Sequence, residues 1–256
     1  MAFDTDTHQQ LLDKLTPLPL DARCAAICLS LVDLTNLDEA ATPQMITELC
    51  AATHIDDKYV AAVCVYPEYL SLCRDSLANT PVTFATVVNF PAGNHPITTV
   101  IDEIASAIEL GADEIDCVIP YQQYLQGSDA RDFMTQVRQA CGKHSLKLIL
   151  ETGELREPEL IYRASCDAIA AGADFIKTST GKTPTGATLA AAASMLMAIN
   201  DNGNACGIKF SGGIRTLADA NHYLALTQNI LGKDKLTPAT CRIGASSLLA
   251  DLKRFL

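Results

Sequence analysis

Eight alternations of a strand-like run and a helix-like run predict an α/β fold, a single (β/α)8 TIM barrel. Three observations carry the prediction. The repeat length is that of a βα unit. Charged and hydroxyl groups gather at the C-terminal ends of the strand-like runs while the strand middles stay apolar, which is the polarity of a barrel with its site at one face. Helical runs end in the related phrases Leu110-Gly111-Ala112-Asp113, Ala171-Gly172-Ala173-Asp174 and, more loosely, Asn202-Gly203-Asn204. Glycine there suits a helix C-cap before the next strand. The 256 residues match one barrel in size, and no linker or low-complexity tract divides them. The expected organisation is one domain over residues 1–256, with 1–24 as a short N-terminal helical extension. A doubly wound sheet is the alternative. Against it, no strand-like run is followed by G-x-G-x-x-G.

In chain order, residues 8–20 form an amphipathic helix ending near Pro17 and Pro19. The apolar run 28–33 reads as the first strand, followed by a helix over 38–52 with Pro43 near its first turn. The second strand is 60–66 and its helix 67–77. The β-branched run 82–90 is the third strand, with a helix over 96–110. Then follow strand 114–120 with helix 128–143, strand 146–152 with helix 157–171, and strand 175–180 with helix 185–200. Strand 206–211 with helix 216–226 and strand 240–245 with helix 246–255 complete the set.

Composition bounds the function. Hydrophobic residues are 48% and charged residues 19%, enough for one large core. A net charge of −11 argues against nucleic acid, whose phosphates need basic stripes. It leaves room for a small anion, because a local site can be positive on an acidic protein. The ten cysteines contain no C-x-x-C pair. Scattered thiols fit a reducing cytoplasm rather than a disulfide or metal framework. The polar start, with Asp4 and Asp6, does not read as a signal peptide, and the apolar run 25–34 is too short to span a bilayer. No membrane partner is expected.

The chemistry centres on Phe175-Ile176-Lys177-Thr178-Ser179-Thr180-Gly181-Lys182. A lysine inside an apolar strand is unusual, since burying an ammonium is unfavourable. Strand alternation puts Lys177 on one face with Phe175 and Ser179, and Lys209 on one face with Gly207 and Ser211. Ile176, Ile208 and Phe210 take the opposite, helix-packed face. The two lysines lie on consecutive strands about 4.8 Å apart, so each raises the other's tendency to lose a proton. Burial acts in the same direction. A neutral amine attacks an aldehyde to form an imine. Asp116, in the apolar run Glu114-Ile115-Asp116-Cys117-Val118, supplies a carboxylate for the proton transfers that imine chemistry needs. Lys177 could instead pair with a buried carboxylate, Asp116 could form a plain salt bridge, or both lysines could bind only phosphate. Lys147 and Glu151 share a strand face and read as a second, structural, inward pair.

Phosphate chemistry is written at Ser211-Gly212-Gly213-Ile214-Arg215 and Gly244-Ala245-Ser246-Ser247. Barrels bind phosphate after their last two strands, using glycine N–H groups and a helix start. Gly181 and Lys182 close this site from the sixth strand. Thr180-Gly181-Lys182-Thr183 is not a P-loop, because Ile176 stands where its first glycine belongs. Neither H-E-x-x-H nor G-x-S-x-G occurs, and no metal or other cofactor is expected.

These motifs resemble those of the 2-deoxyribose-5-phosphate aldolase family. Further matches are Leu31-Val32-Asp33-Leu34-Thr35, Ala62-Val63-Cys64-Val65-Tyr66-Pro67, Val88-Asn89-Phe90-Pro91 and Ile149-Leu150-Glu151-Thr152-Gly153. They fall in the family's order over nearly the whole chain after residue 25. The resemblance implies a metal-free class I aldolase that splits 2-deoxy-D-ribose 5-phosphate into D-glyceraldehyde 3-phosphate and acetaldehyde, in deoxyribonucleoside catabolism. It assigns Lys177 as the imine-forming lysine, Lys209 as the group tuning it, and Asp116 as proton carrier through a water. Asp33, Thr35 and Cys64 would line the aldehyde end. Thr180, Gly181, Lys182, Gly212, Gly213, Gly244, Ser246 and Ser247 would hold the rest of the substrate and its phosphate. The protein would be a monomer or homodimer.

The sequence departs from the family in three places. Related chains often end in a tail tyrosine that assists proton abstraction, whereas Phe255-Leu256 stand here, so a slower enamine step is expected. Asp38 replaces a common asparagine, and Phe210-Ser211 a common Pro-Ala. Two other functions compete: an imine-forming barrel aldolase with a different donor, and a phosphate-sugar binding barrel without chemistry.

Overall fold

A computed structural model describes residues 2–256. The helix α1 (Thr5–Asp13) starts at Asp4, whose carboxylate accepts from Thr7 N, and α2 (Ala22–Ser30) starts at Asp21 in the same way. Next come β1 (Val32–Asn36) and α3 (Pro43–Ala51), the latter capped by Thr42 with proline at its first position. A two-residue hairpin, β2 (His54–Ile55) with β3 (Lys58–Tyr59), precedes β4 (Ala62–Val65) and α4 (Leu70–Leu77). The chain continues through β5 (Thr83–Val88), α5 (Ile97–Glu109), β6 (Glu114–Val118), α6 (Tyr121–Leu125), α7 (Arg131–Cys141) and β7 (Ser145–Ile149). Then follow α8 (Thr152–Leu155), α9 (Pro158–Ala170), β8 (Phe175–Lys177), α10 (Leu189–Asp201), β9 (Gly207–Ser211), α11 (Leu217–Leu231), β10 (Cys241–Ala245) and α12 (Leu248–Leu252).

Strands β1 and β4 to β10 form a closed parallel barrel in the order β1-β10-β9-β8-β7-β6-β5-β4. Closure pairs Val32 with Ile243 and Asp33 with Gly244. Helices lie between successive strands, so the predicted (β/α)8 TIM barrel is the fold. The outward residues Ile176, Ile208 and Phe210 join one large core between sheet and helices. Inside the barrel a separate small apolar cluster holds Leu37, Cys64, Ala85 and Val87. No helix of the described residues is long and apolar enough to cross a membrane.

Several element bounds differ from the sequence reading, three of them with consequences for the fold or the site. The first strand is Val32–Asn36 and not 28–33, because Cys24, Ala25, Cys28 and Leu29 are buried at helical spacing on α2. The first helix is Thr5–Asp13 and not 8–20: Asp4 caps it early, and Pro17 and Pro19 lie beyond its end. The last helix, expected over 246–255, is only Leu248–Leu252. Any phosphate held by Ser246 and Ser247 would therefore meet backbone N–H groups more than a helix dipole, which needs several aligned turns.

Candidate active site

Four cations and three carboxylates fill the barrel interior among the described residues: Lys147, Lys177, Lys209 and Arg242 with Asp33, Glu114 and Asp116. The register explains their meeting. Lys177 stands directly beside Lys209, Arg242 beside Lys209, and Asp116 beside Lys147. Room for these long side chains comes from Ala62, Cys64 and Ala85 on the facing strands. Gly207 leaves room for the Phe175 ring, from which a Cβ there would lie 2.5 Å.

Asp116 is the hub. Its Oδ2 accepts from Lys177 Nζ at 2.7 Å and from Lys209 Nζ at 2.8 Å, and its Oδ1 accepts from Lys147 Nζ at 2.8 Å. Lys209 also lies 2.6 Å from Asp33 Oδ2. Arg242 bridges Asp33 at 2.6 Å and Glu114 at 2.8 Å, and Lys147 pairs with Glu114. Lys177 pairs with Asp116 alone among the described residues.

That asymmetry separates the two lysines. Burial pushes the Lys177 pKa down, Asp116 opposes this, and the Lys209 charge adds to the fall, leaving it below the ordinary lysine value. Burial acts on Lys209 too, but Asp116 and Asp33 together outweigh it and hold its pKa above the ordinary value. Asp116 stays well below the carboxylate range: its burial is overcome by Lys147, Lys177 and Lys209. Lys177 is thus the amine that most readily becomes neutral, and it lines the open cleft at the barrel mouth.

The cleft has a volume of about 690 Å³. Its wall includes Thr35, Thr180, Gly181, Lys182, Gly212, Gly213, Gly244, Ser246 and Ser247, which are among the residues singled out in the sequence. The N–H groups of Gly181, Gly212, Gly213, Ser246 and Ser247 donate to no protein acceptor among the described residues. Gly212 and Gly213 have φ of +92° and +86°, a backbone that turns successive N–H groups toward an anion. Gly186 presses on the same turn: a Cβ there would lie 2.5 Å from Gly212 O. Lys182 and Arg215 add positive charge at this end.

Two predicted residues stand elsewhere. Asp33 is not in the cleft wall; it is fully buried against Lys209 and Arg242. Cys64 is also fully buried, in the apolar interior cluster, where it feels the charges of Lys209, Asp116 and Lys177. The expected inward pair of Lys147 with Glu151 does not form. Strand β7 ends at Ile149, and Glu151 lies in a left-handed turn at φ +52°. There its carboxylate accepts from Thr180 N at 3.3 Å, from Thr180 Oγ1, and from Thr183 Oγ1 at 3.2 Å.

Sequence reasoning missed Arg242 and gave Glu114 no role. Parity could have found Arg242, which shares the inward face of its strand with Gly244 while Cys241 and Ile243 face out. A second cleft of about 730 Å³ on the outer helices, between Phe3, Tyr162, Arg163 and Asp201, contains none of the predicted residues.

Comparisons with known proteins fit this geometry. The sequence profile of the DeoC/LacD family aldolases matches residues 26–254. A curated deoxyribose-phosphate aldolase from Agrobacterium fabrum is 47% identical over 232 residues, 89% of this chain and 90% of the relative. A Toxoplasma gondii structure assigned as deoxyribose-phosphate aldolase superposes with a TM-score of 0.80 at 25% identity, covering 91% of this chain and 93% of that one. A Coccidioides immitis structure with the same assignment gives 0.78 at 28% identity, covering 95% and 94%.

Proposed function

The chain belongs to the DeoC/LacD family of aldolases, and we propose that it reversibly cleaves 2-deoxy-D-ribose 5-phosphate to D-glyceraldehyde 3-phosphate and acetaldehyde through an imine on Lys177. The observation that carries the reading is the sharing of Asp116 Oδ2 by two unequal lysines, with the more easily neutralised one opening on the cleft.

The open-chain aldehyde carbon accepts the Lys177 amine, and loss of water gives the iminium. The iminium withdraws electrons as Asp116, directly or through a water, takes the proton of the C3 hydroxyl. The C2–C3 bond then breaks, releasing glyceraldehyde 3-phosphate and leaving an enamine on Lys177. Protonation at C2 and addition of water release acetaldehyde and regenerate the amine. Lys209 keeps its proton through Asp33 and Asp116, and so acts as a fixed positive charge beside Lys177. Gly181, Lys182, Gly212, Gly213, Ser246 and Ser247 hold the phosphate, which accounts for an anionic substrate on an acidic chain. Cys64 and its apolar neighbours border the small aldehyde end. The imine supplies the electron sink, so the route needs no metal.

The wider reading is one catalytic unit over residues 1–256, serving deoxyribonucleoside breakdown in a reducing cytoplasm as a monomer or homodimer. Ten unpaired thiols support the compartment.

The experiment is incubation with acetaldehyde, reduction with borohydride, digestion and mass spectrometry. An ethyl adduct on Lys177 is expected. An adduct on Lys209 reverses the two lysine roles, and no adduct on folded protein overturns the imine mechanism.

A further inference from the structure

Ser211 stands at the cleft floor with a hydroxyl that has no use in the fold. The residue is 6% exposed, it lines the cleft, and its Oγ has no hydrogen-bond partner among the described residues. Buried hydroxyls are nearly always paired, because an unmet one forfeits its hydration. The backbone around it is held firmly. Thr178 Oγ1 accepts from Ser211 N at 2.9 Å and donates to Ser211 O at 3.1 Å. The direction of the hydroxyl is fixed by its neighbours: a Cβ on Gly244 would lie 2.3 Å from Ser211 Oγ and 3.2 Å from Lys209 Cε. The hydroxyl therefore occupies the space that glycine leaves on β10, just above the Lys209 stem. Ser179 Oγ is also unpartnered, but Ser179 is fully buried and outside the cleft wall.

We propose that the Ser211 hydroxyl reads the hydroxyl next to the phosphate-bearing carbon of the substrate, which makes Ser211 a specificity residue for hydroxylated acceptor aldehydes. The assignment rests on the proposed aldolase reaction and deepens it. Along β9 and its turn the order is Lys209, Ser211, then Gly212-Gly213, from the imine end to the phosphate end. Two strand residues advance the chain by about 6–7 Å, so Ser211 faces the middle of a substrate stretched between those ends. The C3 hydroxyl gives its proton to Asp116 in the proposed reaction. The C4 hydroxyl is the one left for Ser211, and it is the C2 hydroxyl of glyceraldehyde 3-phosphate in the reverse direction.

The test compares two acceptors for acetaldehyde addition, glyceraldehyde 3-phosphate and 3-oxopropyl phosphate, which keeps aldehyde and phosphate and lacks only that hydroxyl. The native enzyme is expected to favour the hydroxylated acceptor in kcat/KM by about fivefold, the scale of one hydrogen bond. Ser211→Ala should bring the two acceptors to parity while 3-oxopropyl phosphate turns over as before. A purely structural role would lower both acceptors together. A preference that persists in Ser211→Ala, with the Lys177 adduct still trapped, overturns the assignment and leaves the aldolase reading intact. So does parity in the native enzyme, a result that needs no variant to fold. No turnover of either acceptor together with no adduct on Lys177 overturns the aldolase reading itself.

Discussion

Lys177 and Lys209 present their amines to a single oxygen, Asp116 Oδ2, at 2.7 and 2.8 Å. Only Lys209 has a second carboxylate within reach, Asp33 at 2.6 Å. One carboxylate oxygen thus divides two chemically identical side chains into a fixed charge and an adjustable amine. Most of the expected behaviour of the site follows from that division.

Replacing Lys209 with methionine removes the charge that helps depress Lys177 and leaves Asp116 Oδ2 to Lys177 alone. Both changes favour the ammonium form, so the Lys177 pKa rises. The limb of the pH profile that reports formation of the neutral amine should move to higher pH. At pH 7 kcat/KM should fall by about 10²-fold or more. The measurement is kcat/KM across pH. A slower enzyme with an unmoved limb would mean that Lys209 does not tune Lys177.

Arg242→Met should destabilise the fold by about 3–5 kcal/mol, because it strips a partner from Asp33 and Glu114, both buried. Denaturant melts test this. The same substitution at the exposed Arg254, which meets Asp251 at the surface, should change stability by less than about 1 kcal/mol.

Glu151→Gln keeps a buried side chain of the same shape but has one carbonyl oxygen where the carboxylate uses two. The segment from Thr180 to Thr183, which carries Gly181 and Lys182, should lose part of its anchoring. KM for the phosphorylated substrate should rise by about five- to tenfold, with kcat less affected and the acetaldehyde adduct on Lys177 retained. An unchanged KM would show that Glu151 does not position the loop.

Acid should unfold the protein late. Burial alone would raise Asp33, Asp116 and Glu114, but Lys147 (for Asp116 and Glu114), Lys209 (for Asp33) and the other cations outweigh it, and all three sit below their ordinary values of 3.8, 3.8 and 4.5. Groups lowered in the folded state give stability that is complete above the unfolded values and is lost as pH falls through the folded ones. Glu151 runs the other way. Burial raises it above 4.5 despite its bonds from Thr180 and Thr183, so it withdraws stability as pH rises through its folded value. Urea melts should therefore show no loss from the interior network between pH 7 and 5, and a steepening loss below about pH 4. A loss that begins near pH 6 would show that these carboxylates do not set the acid limit.

The parity of the strands made the barrel and its two lysines legible. Lys177 and Lys209 could be placed inward, side by side, because strand alternation is strict and both runs are otherwise apolar. The glycine turns marked the cleft for a similar local reason. What escaped the sequence depends on distance across the barrel. Arg242 meets Glu114 over 128 positions of chain, and no local pattern encodes that pairing. Asp33 looked like a cleft residue because it lies near a strand end, but Lys209 and Arg242, which arrive from distant parts of the chain, enclose its carboxylate. The strand expected at 28–33 failed because an apolar run suits a buried helix as well as a strand. The cap at Asp21 decided between them.

Gly186 and Gly212 touch backbone to backbone across two loops, so neither position can drift by itself. Any larger residue at one demands a displaced main chain at the other. Pairs of this kind make a mutational landscape rugged: single steps at either site lead downhill even where a double change would be tolerated. Gly181 and Gly213 are different, with open space where a Cβ would go and only their positive φ to satisfy. A library meant to broaden the acceptor range would hold residues 186 and 212 constant and explore 181 and 213 with asparagine, which accepts left-handed backbone.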